Sequence, residues 1–385
     1  MAIPESKSRG FESIVIPPPL LLVIEDVGWW SGYSRPEMNQ PFRSGMGRLH
    51  CVEDYTAIIR LAKALKTQIV AGFVLCEWDR TGLLADLPSS TWLGAQWKGC
   101  KDGIGFQDKV VSILNENPGY VNIAMHGIGH EYWVDGEASR SEFHDENGVM
   151  RDKEQVTRHI SMFEKLLLMS GLNAPFPQIF IPPALKHSFG NGEQGFQKIL
   201  ADFGIDYVIT VFDKAKQFAR PMHKHVTEEC GVTLIERGVA PVSWDSVSAK
   251  PEFPFTHPIV PIHWANILHP IPEQNEYVID RWAEFLASGA RLNGYIFFPD
   301  ALTALSQIVF YRLTRIEAIN GGVVLDISDA RSVLPKQIRC EFYAELPPSA
   351  RIREHDGKLA PADHIHEGLI QLLPSPHAEE IHIFF

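Results

Sequence analysis

Between residues 20 and 300 the sequence repeats one pattern, a short apolar run that ends abruptly in polar, glycine or proline residues, and no other feature restricts the fold as much. Seven runs fit it: LLLVIED (20–26), IVAGFVLCEWD (69–79), VNIAMHG (121–127), QIFIPP (178–183), DYVITVFD (206–213), PIVPIHW (258–264) and GYIFFPD (294–300). Several are apolar throughout rather than alternating, as strands covered on both faces are. Helical patterns separate many of them, at 51–66, 152–171, 193–204 and 274–289. In the second pattern Val156, Ile160, Phe163 and Leu167 recur at three- and four-residue spacing, which puts them on one face, and Gly171 follows as a stop. Strands alternating with helices imply a parallel sheet, either a barrel or a doubly wound sheet, and seven strands favour the barrel, an α/β fold of the distorted (β/α)7 type.

After about residue 305 the texture changes to QIVFYRLTRIEAI, GGVVLDIS, IRCEFYAEL, GLIQLLPS and EEIHIFF, separated by turns and without a helical pattern. This predicts a small C-terminal all-β unit, antiparallel in kind, and divides the chain into a barrel of residues 1–304 and an accessory unit of residues 305–385. The segment 216–257 reads as a long loop carrying a hairpin, VTLIERGVAPVSW.

Composition narrows the partners. With 45% hydrophobic and 21% charged residues the chain buries a sizeable core. A formal net charge of −12 argues against nucleic acid, which is bound through clustered Lys and Arg. The N-terminus lacks a basic segment followed by an apolar stretch and a cleavage site, and its run LLLVI is too short for a bilayer. Cys51, Cys76, Cys100, Cys230 and Cys340 are scattered with no CxxC, as expected of reduced, buried thiols. The expectation is a soluble, cytoplasmic protein that acts on a small molecule or oligosaccharide, with no membrane partner and its oligomeric state open.

In parallel α/β folds reactive groups gather at the carboxyl ends of the strands. Here those ends are rich in ligand and acid/base types: the first run ends in Glu25-Asp26, the third in His126 followed by Gly-Ile-Gly-His130, and the sixth in His263, with His269 six residues on. The spacing HGIGH brings two imidazoles to one ion if the turn bends back, and its glycines permit that turn while disfavouring a helix. Asp26 supplies the oxygen that two histidines lack for an open three-ligand site, and Glu25 stands beside it as a base. Such donors suit a divalent ion, zinc first, although cobalt, nickel, manganese and iron(II) accept the same set. Trp29, Trp30, Trp133 and Trp264 stand close to these motifs and are candidates for stacking on a sugar ring.

An acid pair after a first strand, H-x-x-x-H after a third and a later strand ending in His resemble the polysaccharide deacetylase family in order and spacing, over roughly residues 15–300. The resemblance implies a distorted (β/α) barrel and a metal-dependent hydrolase that removes an N- or O-linked acetyl group from a carbohydrate. It assigns Glu25 as base, Asp26, His126 and His130 as metal ligands, and His263 as acid, with His269 the alternative. The chain departs from the family in three places. Glu25 stands where the family has Asp; Ile181, before Pro182-Pro183, stands where it often has an Arg that steadies the base; and Trp244-Asp245 reverses its Asp-Trp pair. Two alternatives follow, a metal-dependent amidohydrolase acting on a non-sugar amide or imide, and a saccharide-binding barrel without turnover.

Overall fold

The computed structural model describes residues 14–101, 103–252, 257–356, 358, 362–366 and 368–385. Residues 1–13 of the N-terminal stretch read for an export signal, and residues 253–256 of the 216–257 segment, lie outside the described residues. Eight strands form the main sheet: β1 Leu21–Val27, β2 Ile69–Phe73, β3 Val121–Met125, β4 Ile179–Phe180, β5 Tyr207–Thr210, β6 Val226–Glu229, β7 Val232–Glu236 and β8 Ile259–His263. Their order is β6-β7-β5-β4-β3-β2-β1-β8, and every neighbouring pair is parallel except β6 with β7. Seven parallel strands curl into a half-barrel, the distorted-barrel form of an α/β fold.

Both faces of this sheet are dry, and alternation along each strand divides its side chains between two cores. Leu22 and Ile24 of β1, Ile69 and Phe73 of β2 and Ile262 of β8 enter one core. Helices α1 (Val52–Leu65), α2 (Ile104–Glu116), α3 (Lys153–Ser170), α4 (Phe196–Asp202) and α5 (Asn275–Asn293) cover it with side chains such as Ile58, Val110, Phe163, Leu200 and Trp282. Leu21, Val23, Val70, Ile179 and Ile259 enter the second core. Each such side chain contributes roughly 1.5–3 kcal/mol on burial, and a slip of one residue would exchange the two faces, so the register is firmly set. The spacing read in 152–171 is the inner face of α3. Asp152 caps its start by accepting from the Glu154 and Gln155 amides, and Gly171, at φ 86°, ends it.

The second core is closed by the C-terminal part of the chain. It comprises α6 (Ala301–Leu313), α7 (Ser328–Val333) and strands β9 Arg315–Ile319, β10 Gly322–Asp326, β11 Phe342–Glu345, β12 Arg351–Glu354, β13 Ala362–His366, β14 Leu369–Leu372 and β15 Glu380–Phe384. These strands make two antiparallel sheets, ordered β9-β10-β15-β12 and β11-β14-β13. The expected absence of helix after residue 305 is corrected by α6 and α7. Helix α6 is buried at Ala304, Leu305, Ser306, Gln307, Ile308, Val309 and Phe310, so its sequence has the unbroken apolar look of a buried strand. The 304/305 division falls inside it.

Two strand assignments also change. The run 294–300 forms only an isolated bridge, Ile296 with Pro19, because Pro17, Pro18 and Pro19 opposite it have no amide hydrogens to extend a ladder. The remaining parallel strand is β7, from the segment read as loop. Its hairpin partner lies upstream in β6, through Cys230 (φ 55°) and Gly231 (φ 86°), two left-handed residues of the kind a tight hairpin turn requires. None of the five cysteines is in a disulfide, and among the described residues no helix is long and apolar enough to cross a membrane.

Candidate active site

The end of β1 is irregular where the chemistry begins. Its pairing with β2 shifts register between Ile24 and Val27, and Asp26 takes a left-handed φ of 61°. An uninterrupted strand would send Glu25 and Asp26 to opposite faces, but the irregularity turns both into one cleft. Both are nearly buried, at 4% and 6% exposure.

His126 directly follows β3. Its Nδ1–H donates to the Ile181 carbonyl at 2.8 Å, which leaves a lone pair on Nε2, 3.6 Å from Asp26 Oδ1. His130 returns to the same place through GIG, with φ 66°, and the two imidazole centroids are 5.2 Å apart. Its Nδ1 lies 3.3 Å from Glu131 Oε1, and its Nε2 accepts from the Ala184 amide at 3.1 Å. Asp26, His126 and His130 each offer a ligand atom, all within 4.8 Å of one another. Asp26 Oδ1 is buried without a hydrogen-bond partner, and an oxygen with two imidazole nitrogens suits a divalent ion, so these residues fit the expected metal. Burial opposes ionisation of Asp26, but the imidazoles of His126, His130 and His263 outweigh it and hold the carboxyl well below the usual carboxylate range.

The loop between the two histidines rests on a residue that no local sequence pattern singles out. Glu142 is 1% exposed, and its Oε2 accepts from the amides of Ile128 (2.7 Å) and Gly129 (3.2 Å). Its Oε1 accepts from His159 Nδ1 at 2.8 Å, and Ser89 Oγ bonds His159 Nε2 at 2.8 Å. Gly127, at φ 113°, admits this carboxylate, since a Cβ there would stand 2.4 Å from Glu142 Oε2.

Glu25 forms a buried ion pair with Arg237, the residue that follows β7. The arginine absent before Pro182 is thus supplied from another strand, and the expectation that no Arg steadies Glu25 is corrected. The run VTLIER carried the same strand-end signal as the others, but it lay in the segment read as loop. Burial pushes the Arg237 guanidinium down to about 10, still cationic near neutrality. His263 ends β8, with Nε2 3.9 Å from both Glu25 Oε2 and Asp26 Oδ2, and burial pushes it down to about 4. His269 lies outside the cleft lining. Its Nδ1 accepts from the Ile271 amide at 3.0 Å and its carbonyl from Arg48.

The cleft over this site encloses about 590 Å³. None of the four tryptophans expected to stack on a sugar lines it. Trp29 and Trp30 are fully buried, Trp30 against Tyr55, Trp78 and Phe106; Trp264 stacks on His50 at 3.8 Å; Trp133 is 4% exposed. Their bulk serves the core, which the same residue type suits equally well. The aromatic wall is instead Trp244, 37% exposed, with Phe42 at 6.2 Å and His263 at 6.3 Å between ring centroids. His144 and His187 pack with Phe196 in the interior, where burial holds both below the usual histidine range.

No family model and no curated protein matches the chain. Solved structures do. The carbohydrate deacetylase Agd3 is 10% identical, with 95% of this chain and 65% of that chain covered at a TM-score of 0.50. This chain has a carbohydrate deacetylase-like fold. It spans a little under two thirds of the length of Agd3. The family 4 carbohydrate esterase from Streptomyces lividans, in complex with acetate, is 11% identical over 73% of this chain and 94% of that one, at a TM-score of 0.32. A GH57-type branching enzyme from Pyrococcus horikoshii is 9% identical over 76% and 77%, at 0.40. The fold relationship rests on the first of the three and is distant.

Proposed function

We propose that the chain is a metal-dependent hydrolase that removes an acetyl group, N- or O-linked, from a carbohydrate. One observation carries this reading: Asp26, His126 and His130 converge within 4.8 Å at the floor of a cleft that also holds an acid, Glu25, paired to its own arginine, and an imidazole, His263. When bound, the ion would supply Lewis acidity toward the acyl oxygen and a lowered pKa for the attacking water. Glu25 accepts the proton of that water, with Arg237 fixing the carboxylate. His263 protonates the leaving nitrogen or oxygen, and its Nε2 lies 3.9 Å from Glu25 Oε2, so a proton taken up by Glu25 is close at hand. Arg237 beside Glu25 supports this reading over a saccharide-binding barrel without turnover, since it gives the base an arginine partner.

The test is metal analysis of purified protein with a screen for acetate release from acetylated saccharides. About one divalent ion per chain is expected, together with acetate release that chelation abolishes. His126→Ala and His130→Ala should each lose the ion while the chain stays folded, because both sit on a loop beyond the strand. Equal metal content in wild type and both variants would sink the reading.

A further inference from the structure

Three segments meet at the mouth of the cleft, and each brings a cation. Residues 188–189 pair in parallel with residues 216–217, and the Lys216 amide donates to the His187 carbonyl at 2.8 Å. The stretches leading into that pair, which hold Lys186 and Lys214, therefore run side by side. Lys186 Nζ donates to the Glu146 carbonyl at 2.8 Å, which ties in the third segment. From that segment Arg140 lies over Phe42, 3.5 Å from the ring centroid. Arg140, Lys186 and Lys214 line the same cleft as Glu25, Asp26, His130 and His263.

The other charges around the cleft are already answered. Arg43 pairs with buried Glu77 at 2.9 Å, and Arg237 pairs with Glu25. The Glu146 carboxylate accepts from Ser139 Oγ at 2.9 Å and from the Arg140 amide at 3.1 Å. Arg140 Nη1 reaches only a buried acid behind the wall, Glu131, at 3.4 Å. Among the described residues no carboxylate forms an ion pair with Lys186 or Lys214. A chain of formal charge −12 thus rims its cleft with cations, and any ion bound at the floor adds to them. Glu146 is the one lining acid besides Glu25 and Asp26, so cations outnumber acids around the cleft, and its low-dielectric walls focus that field on an incoming group of the opposite sign. Beside the rim, exposed Trp244 offers a flat apolar face of the kind that suits a sugar ring.

We infer that the substrate is an acidic saccharide, whose carboxylate or phosphate docks on Arg140, Lys186 and Lys214 while its acetyl group reaches Glu25 and His130. This rests on the deacetylase reading above. The experiment compares an N-acetylated disaccharide containing a uronate, an N-acetylhexosamine phosphate and a neutral N-acetylated disaccharide. Acetate release and calorimetric binding are measured at about 50 mM and about 500 mM salt. At low salt at least one acidic compound should exceed the neutral one by about tenfold in kcat/KM, an advantage that high salt shrinks and that K186Q/K214Q brings to within about threefold. Whether the uronate or the phosphate leads identifies the anion. A neutral compound equal to or better than both acidic ones overturns the inference. If none of the three releases acetate, the deacetylase reading fails and binding decides: tighter, lysine-dependent and salt-sensitive binding of an acidic compound upholds the rim, and equal or absent binding overturns it.

Discussion

At the scale of single residues the decisive pair is Glu25 with Arg237. Their exposures are 4% and 3%, so neither charge has water to fall back on. Removing one partner of such a pair leaves the other charge buried and alone, which costs about 3–5 kcal/mol, whereas removing both is far milder. Arg237→Met is therefore expected to lower the unfolding free energy by about that amount in urea titrations, and to lose most turnover because the base is no longer held. Glu25→Gln/Arg237→Met should regain much of the stability and none of the turnover. Additive losses in the two single variants and the double would show that the charges do not depend on one another. The acids and histidines were legible in the sequence because each ends an apolar run. Arg237 ends one too, but a short strand in that setting has the sequence of a hairpin arm, so its end does not stand out. The tryptophans misled for a different reason: an indole beside a site and an indole beneath it have the same local sequence, and only the tertiary packing distinguishes them.

At the scale of elements the site depends on a loop that its own sequence does not hold. The turn from His126 to His130 has two glycines and so little preference of its own, and Glu142 fixes it from another segment by taking two of its amides. Partners that orient ligands typically contribute 10–100-fold to metal affinity. Glu142→Ala is expected to weaken metal binding by about 10–100-fold in calorimetric titration of the metal-free protein. Glu142→Gln, which keeps an oxygen for the amides, should recover most of that. Gly127→Ala should act in the same direction as Glu142→Ala, since its Cβ would meet the carboxylate oxygen at 2.4 Å. An unchanged metal affinity in Glu142→Ala would mean that the loop is held by its ends alone. Nothing in the local pattern around residue 142 pointed to this role, because the contact joins segments with no shared periodicity. Helices α1, α3, α4 and α5 and six of the seven parallel strands were legible, because each carries its period within its own length, whereas α2 was not read from the sequence.

At the scale of the whole molecule the question is whether the barrel and the C-terminal strands are separable. The sequence suggested a boundary at 304/305, where the apolar pattern changes. In the fold, helix α6 crosses that point, and its Leu305, Ile308 and Phe310 share one core with Val23 and Ile209 of the main sheet and with Val323, Leu325, Ile381 and Ile383 of the C-terminal sheets. Phe310 stacks on Phe342 at 4.4 Å. Gln307 ties the parts further, since its Nε2 donates to the carbonyls of Pro17 and Tyr343, each at 3.0 Å, and its Oε1 accepts from the Tyr343 amide at 2.8 Å. Deleting residues 314–385 would bare many of these side chains, each worth roughly 1.5–3 kcal/mol, against a total stability of about 5–15 kcal/mol for a typical protein. The truncated chain is therefore expected to be insoluble, or to lack a cooperative unfolding transition, while the full chain unfolds in one step. The check is differential scanning calorimetry on both, with metal content alongside. A soluble truncated chain that melts cooperatively and still binds its ion would show that the barrel stands without the C-terminal sheets, and that the shared core covers the sheet without being required to fold it.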